Sequence, residues 1–261
     1  DFALQQIGMV PVWIAENTSA PQLALLLQQA EPRLLFVGSR EALHKAQLLR
    51  AQTPTLRQIY TLPSLPDAPC WKSLHSTPVD RHLEEFEIVK AGIHEDDTAL
   101  FLGDTHGRKK PVLVMLSHKN LTFTVKTLLR ELPFGTGWKG IIEPEQPILQ
   151  YRLFEYACMA AGAPVFYPVS RTDFLGSLSK LKPQILCCSP GLLWGIYKNW
   201  QRGRSENHPL LRWAVWLATR SRRQIRRRWF FRLQLRIARI WVFRKWRKTF
   251  GGRLENLLVA P

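Results

Sequence analysis

A chain of 261 residues with 46% apolar content has enough material for one large domain or two small ones, which excludes wholesale disorder. Its formal charge of +17 excludes an ordinary acidic enzyme surface, and the excess is local: residues 212–253 hold 15 Lys and Arg with no Asp or Glu, leaving 22 basic against 20 acidic residues elsewhere. Four irregularly placed cysteines, with Cys187 and Cys188 adjacent, exclude a disulfide scaffold and read as reduced thiols. In chain order, residues 1–7 form a short helical pattern ended by Gly8, and the apolar run 9–14 suits a buried strand. Thr18 and Ser19 cap a helix through Gln29, with Pro21 in its first turn and Leu23, Leu26 and Leu27 on one face. A strand over 33–37, a helix from Ser39 through Ala51 and a strand over 56–62 complete a β-α-β-α-β order. Parallel strands need crossovers of about a dozen residues, so this order predicts an α/β fold of parallel sheets flanked by helices. Pro63, Pro66, Pro69 and Pro78 make residues 62–81 a surface connection.

Further along, residues 96–102 lead a strand into the loop Gly103–Lys110, followed by a strand over 112–116 and a helix over 117–131. The pattern continues with a helix over 148–161, a strand over 163–169, a helix over 170–181, a strand over 184–188 and a helix over 190–200. No C-x2-C couple or H-x3-H spacing occurs and the seven His are scattered, so no metal site is expected from the residues. The longest charge-free stretches fall short of the ~18–20 apolar residues of a spanning helix. There is neither an initiator Met nor a signal-type segment at Asp1. The chain reads as cut from a longer polypeptide, with a cytoplasmic location expected.

The basic segment has a helical period. Arg228, Arg232, Arg236 and Arg239 share one stripe, while Phe230, Leu233, Ile237, Ile240 and Trp241 lie on the opposite face. Three readings stay open for this amphipathic helix. Its apolar face can pack on the domain with the arginines solvated, or it can lie in an anionic membrane interface as a peripheral anchor. Nucleic-acid binding is the least favoured, since no helix-turn-helix, RNA-recognition or zinc signature accompanies the charge.

A strand followed by a basic Gly- and Thr-containing loop can also cradle an anion, because Gly lets backbone N–H groups converge while hydroxyls and cations finish the site. The loop 103–110 does not match G-x-x-x-x-G-K-[ST], and alone it reads equally as a solvated turn. Its surroundings change this. Asp96-Asp97-Thr98-Ala99-Leu100-Phe101, the loop, and Val114-Met115-Leu116-Ser117-His118-Lys119-Asn120-Leu121 together resemble the AMP-forming adenylating superfamily. There the pattern D-D-x-A-x-x-x-Y-T-S-G-T-T-G-x-P-K-G-V-M-L-T-H-x-N-L marks the loop that handles ATP phosphates. Gly8–Val12, residues 31–37 and 143–156, Lys182-Pro183-Gln184, Ser189–Tyr197 and Gly251-Gly252-Arg253-Leu254 follow in the family's order. The later segments are similar to its long-chain fatty acyl-CoA (or acyl-carrier-protein) synthetase branch.

The resemblance implies a partial N-terminal domain over residues 1–201, with the basic helical segment 202–250 inserted in it and a return to the domain at 251–261. It implies ATP and magnesium as cofactors of the intact family, a fatty acid and CoA or acyl-carrier protein as partners, and a ligase reaction. In that reaction a carboxylate and ATP give an acyl-adenylate and pyrophosphate, and a thiol then takes the acyl group. Thr105, Gly107, Arg108, Lys109 and Lys110 would contact phosphate, and Tyr156 and Trp194 the acyl group. No catalytic residue is assigned.

The departures from the pattern matter as much. T-S-G-T-T-G is here Leu102-Gly103-Asp104-Thr105-His106-Gly107, which puts a carboxylate where polyphosphate would sit; at ~4 Å two like charges cost about 1 kcal/mol in water and more in a drier site. The Trp and His of the family's P-x-W-H segment are missing, and so are its adenine-binding segment, its Y-G-x-T-E loop and its C-terminal domain. The expectation is an isolated chain that is inactive in ligation, or else a non-catalytic membrane-associated module using the basic helix.

Overall fold

A computed structural model describes residues 1–76, 82–104, 110–132, 134–135, 137–143, 149–202 and 244–259. The chain divides into two units, Asp1–Thr124 and Val125–Pro261.

In the first unit, α1 (Phe2–Gln6) ends where Gly8 turns the chain at φ +68, a left-handed conformation that costs glycine nothing. The apolar run after it is a strand only at β1 (Val12–Trp13), and Met9 is exposed. Ser19 precedes α2 (Ala20–Ala30), with Pro in its first turn, but the Ser19 hydroxyl donates to Gln22 Oε1 instead of capping the backbone. Leu26 and Leu27 carry the buried face. β2 (Leu34–Val37) and β3 (Gln58–Thr61) pair in parallel. Between them runs α3 (Arg40–Leu49), whose N-cap Ser39 accepts a hydrogen bond from the Ala42 amide at 3.2 Å. Val37, Leu43, Ala46, Leu56 and Ile59 form the core beneath. Past the connection, which includes a 3-10 turn at Trp71–Ser76, lies α4 (Leu83–Ala91), a helix with no buried residue.

The second sheet of this unit has the order β1-β4-β5. β4 (Thr98–Asp104) is parallel to β1 but antiparallel to β5 (Val112–Ser117), an exception to the expected parallel arrangement. Gly103 and Asp104 belong to β4 and not to the loop: they pair with Leu113 and Val112. Gly103 stands there for packing reasons. A Cβ on it would lie 3.2 Å from both the Trp13 carbonyl oxygen and Leu26 Cδ1. The unit division falls within the next helix, α5 (His118–Glu131).

The second unit is built on one all-parallel sheet of order β7-β6-β8-β9, formed by β6 (Gly140–Ile142), β7 (Val165–Phe166), β8 (Ile185–Cys188) and β9 (Asn256–Val259). Among the described residues, helices α6 (Leu149–Ala160), α7 (Arg171–Leu181), α8 (Pro190–Arg202) and α9 (Arg244–Thr249) accompany it. Successive strand residues point to opposite faces, and the two cores divide accordingly. Ile142, Ile185 and Cys187 pack with Tyr151, Phe154 and Cys158 of α6. Ile141, Leu186 and Cys188 pack with Phe174 and Leu178 of α7, Leu192 and Ile196 of α8, and Phe250. Every residue of β8 is buried, as expected for a parallel strand covered on both sides. All four cysteines are free thiols, and burial pushes Cys158 and Cys188 up to about 12.

Candidate functional site

The hairpin in the first unit brings the two ends of the suspected phosphate loop together. Asp104, the last residue of β4, pairs with Val112, the first of β5, so the two flanks of the motif lie side by side. Of the residues expected to contact phosphate, Lys110 is exposed ahead of β5; Thr105, Gly107, Arg108 and Lys109 lie outside the described residues, as do Arg228, Arg232, Arg236 and Arg239 of the basic segment. Pro111 is tied to α2 by its carbonyl, which accepts from Gln29 Nε2 at 3.3 Å.

The acidic residues that open the motif have structural partners. Lys119 Nζ donates to Glu95 at 2.9 Å and to Asp96 at 3.5 Å, and these carboxylates raise the pKa of its ammonium, Glu95 foremost. Asp97 accepts from the His94 amide at 2.7 Å. Ser117 and Asn120 exchange side-chain to backbone bonds at 3.2 and 3.1 Å, starting α5. Ser117 and His118 thus begin a helix.

In the second unit, strand order singles out another place. β6 is followed in sequence by β7 on one side, while β8 lies on its other side, so the chain reverses direction across the sheet between β6 and β8. In open α/β sheets, ligands bind outside the carboxyl ends of the strands at such a point. Glu143, directly after β6, is 2% exposed there. Its Oε2 accepts from the Ser189 amide at 2.6 Å and from the Tyr151 hydroxyl at 3.0 Å. Ser189 directly follows β8, and its hydroxyl accepts from the Leu192 amide at 3.2 Å, capping α8. Burial, and then the Glu143 charge, hold the Tyr151 phenol well above the usual tyrosine range. One carboxylate thereby fixes the ends of two adjacent strands and the start of a helix.

The two residues expected on the acyl side are not brought together. Tyr156 is buried on α6, and Trp194 is 58% exposed on α8, where it stacks on Tyr197 with ring centroids 5.5 Å apart. The helices that carry them pack on opposite faces of the sheet. Glu155, also on α6, pairs with Arg152 at 2.6 Å and accepts from the Tyr167 hydroxyl. Sequence reasoning missed Glu143, Tyr151 and Ser189. The available signal was a carboxylate immediately behind the apolar triplet 140–142, where a parallel strand ends. Among the described residues no three His, Cys, Asp or Glu side chains converge as a cation site, so no residue is assigned to magnesium.

The profile of the family described as AMP-binding enzyme matches residues 1–241. No curated protein matches the chain. Among solved structures, the adenylation domain of a carboxylate reductase from Mycobacterium chelonae is similar at 17% identity over 99% of this chain and 40% of that one, with a TM-score of 0.62. A luciferase-like enzyme from the nonluminescent mealworm Zophobas morio is similar at 17% identity over 72% of this chain and 43% of its own, with a TM-score of 0.57. A long-chain-fatty-acid-CoA ligase from Archaeoglobus fulgidus is similar at 16% identity over 74% and 37%, with a TM-score of 0.53. At these identities the likeness is one of fold, and the chain spans less than half the length of each structure.

Proposed function

We propose that this chain, which belongs to the family of AMP-binding enzymes, is part of a long-chain fatty acid-CoA ligase of the AMP-forming type, carrying a phosphate-holding loop weakened by Asp104. In the intact reaction a carboxylate oxygen attacks the α-phosphorus of ATP and pyrophosphate leaves; a thiol sulfur then attacks the acyl carbon and AMP leaves. Bound magnesium would neutralise phosphate charge. The observation that carries the reading is the β4–β5 hairpin. Its paired ends, Asp104 and Val112, bring the two flanks of the motif side by side with Lys110 exposed next to them, and the segments that resemble the family's phosphate motif lie on either side in order.

Within this reading Thr105, Gly107, Arg108, Lys109 and Lys110 hold phosphate through backbone N–H groups, a hydroxyl and cations. On the acyl side, Trp194 is exposed on α8 and Tyr156 is buried on α6 across the sheet, so each would meet the acyl group only at a separate place. Asp104 repels the triphosphate, and the chain by itself makes no acyl-adenylate. The long-chain branch rests on the segments 143–156 and 189–197, and a ligase acting on another carboxylate is the coarser alternative. A second reading is favoured by the 15 Lys and Arg in residues 212–253: a non-catalytic module whose Arg228, Arg232, Arg236 and Arg239 meet an anionic membrane surface. No helix among the described residues is long and apolar enough to cross a membrane. Calorimetric titration with magnesium-ATP, run beside flotation with anionic liposomes, separates the two readings. Nucleotide binding without flotation supports the ligase, and flotation without nucleotide binding supports the module.

A further inference from the structure

We propose that Gln29 is a positioning residue for phosphate: helix α2 grips both flanks of the phosphate-holding segment, with Leu26 at one end and Gln29 at the other. This rests on the reading of residues 105–110 as that segment, and adds to it the element that sets its ends. Two buried residues mark the flanks, Gly103 near the end of β4 and Pro111 just ahead of β5. Both meet α2. A Cβ on Gly103 would lie 3.2 Å from Leu26 Cδ1, so the β4 backbone runs directly against that fully buried side chain. The Pro111 carbonyl accepts from Gln29 Nε2 at 3.3 Å, across 82 residues of sequence. Residues three apart on a helix are neighbours on one face, so Leu26 and Gln29 reach the two flanks from a single stripe.

The Gln29 bond does what the strand ladder does not. Gly103 and Asp104 are held by pairing with Leu113 and Val112, and Pro111 lies one residue beyond that ladder as described. Proline has no N–H, so its carbonyl is the one backbone group through which it can be tied by a hydrogen bond. A buried carbonyl needs a partner, and Gln29 supplies it from outside the hairpin. The fixed backbone thereby extends to the neighbour of Lys110. A segment whose ends are already held loses less conformational freedom when it closes on an anion, and that saving shows as affinity. Gln29 carries no charge, so its contribution is to order and not to attraction. Its loss should lower phosphate affinity by the same factor at low and at high salt, unlike the loss of a cation.

Gln29→Met tests this, because it keeps the length and helix preference of the side chain and removes the donor. Gln28→Met is the control, at an exposed neighbour about 100° round the helix. Both are made in the full chain carrying Asp104→Asn, where tighter nucleotide binding is expected. Amide hydrogen exchange on peptides covering β4 and β5 reports whether the flanks open, and calorimetric titration with magnesium-ATP reports phosphate affinity. The expected result for Gln29→Met is flank exchange about three- to tenfold faster and ATP binding about three- to tenfold weaker, with the unfolding midpoint unchanged. Gln28→Met should behave as its parent. Unchanged exchange, unchanged affinity, or affinity lost together with a lowered unfolding midpoint would each overturn the proposal. The exchange measurement needs no nucleotide, which tells the two failures apart. ATP binding that ignores Gln29→Met removes the positioning role alone, whereas no ATP binding by any variant, the Asp104→Asn parent included, removes the phosphate reading and the positioning role with it.

Discussion

Removing the Glu143 carboxylate strands two donors at once, the buried Tyr151 hydroxyl and the half-buried Ser189 amide. An unsatisfied buried polar group costs about 1–3 kcal/mol, so Glu143→Ala should destabilise the second unit by at least that much, while Glu143→Gln keeps an acceptor and recovers most of it. Urea unfolding midpoints of the two variants check this, and equal losses would show that charge, not acceptance, is what matters. The thiols give a second residue-scale expectation. Burial raises Cys158 and Cys188 from the ordinary cysteine value of about 8.5 to about 12. Because the neutral form is the one favoured in the fold, their stabilising contribution is complete below about pH 8.5 and is lost as pH rises towards 12. At pH 8, iodoacetamide should modify Cys70, which is partly exposed, and spare the three buried thiols until urea is added. Modification of four thiols in the native protein would contradict the packing of β8 and α6.

At the scale of elements, legibility followed length and periodicity. α3 and α7 were readable because Ser39 and Ser170 each accept from the amide three residues on, ahead of a regular helical run. β8 was readable as an unbroken apolar run. β6, three residues long between a Trp-Lys pair and a carboxylate, is too short to show a period, and β9 alternates half-buried with exposed residues. α4 escaped detection for a different reason: it has no buried residue and therefore no apolar stripe to find. The antiparallel β4–β5 pair was hidden inside a pattern that otherwise predicts parallel strands. The Gly103 position shows how a packing constraint looks like a loop signal in sequence. Gly103→Ala should destabilise the first unit by about 1–3 kcal/mol, because the added methyl meets the Trp13 carbonyl and Leu26 at 3.2 Å. Thermal unfolding checks this, and an unchanged midpoint would mean that β1 and α2 can yield.

For the molecule as a whole, the family was legible because faint segments kept one order along the chain, and the matched profile over residues 1–241 supports that ordering. The Glu143–Ser189 link at the β6/β8 switch point was not legible. It depends on strand order, which brings Glu143 and Ser189 together across 46 residues of sequence. We propose that the chain between β4 and β5 holds nucleotide phosphate with a grip weakened by Asp104. Calorimetric titration of magnesium-ATP into the chain and into Asp104→Asn tests it most directly. Removing a like charge at ~4 Å is worth about 1 kcal/mol in water, so the account predicts weak binding that tightens about fivefold or more in the variant. Identical affinities, or tighter binding by the chain that keeps Asp104, would contradict it.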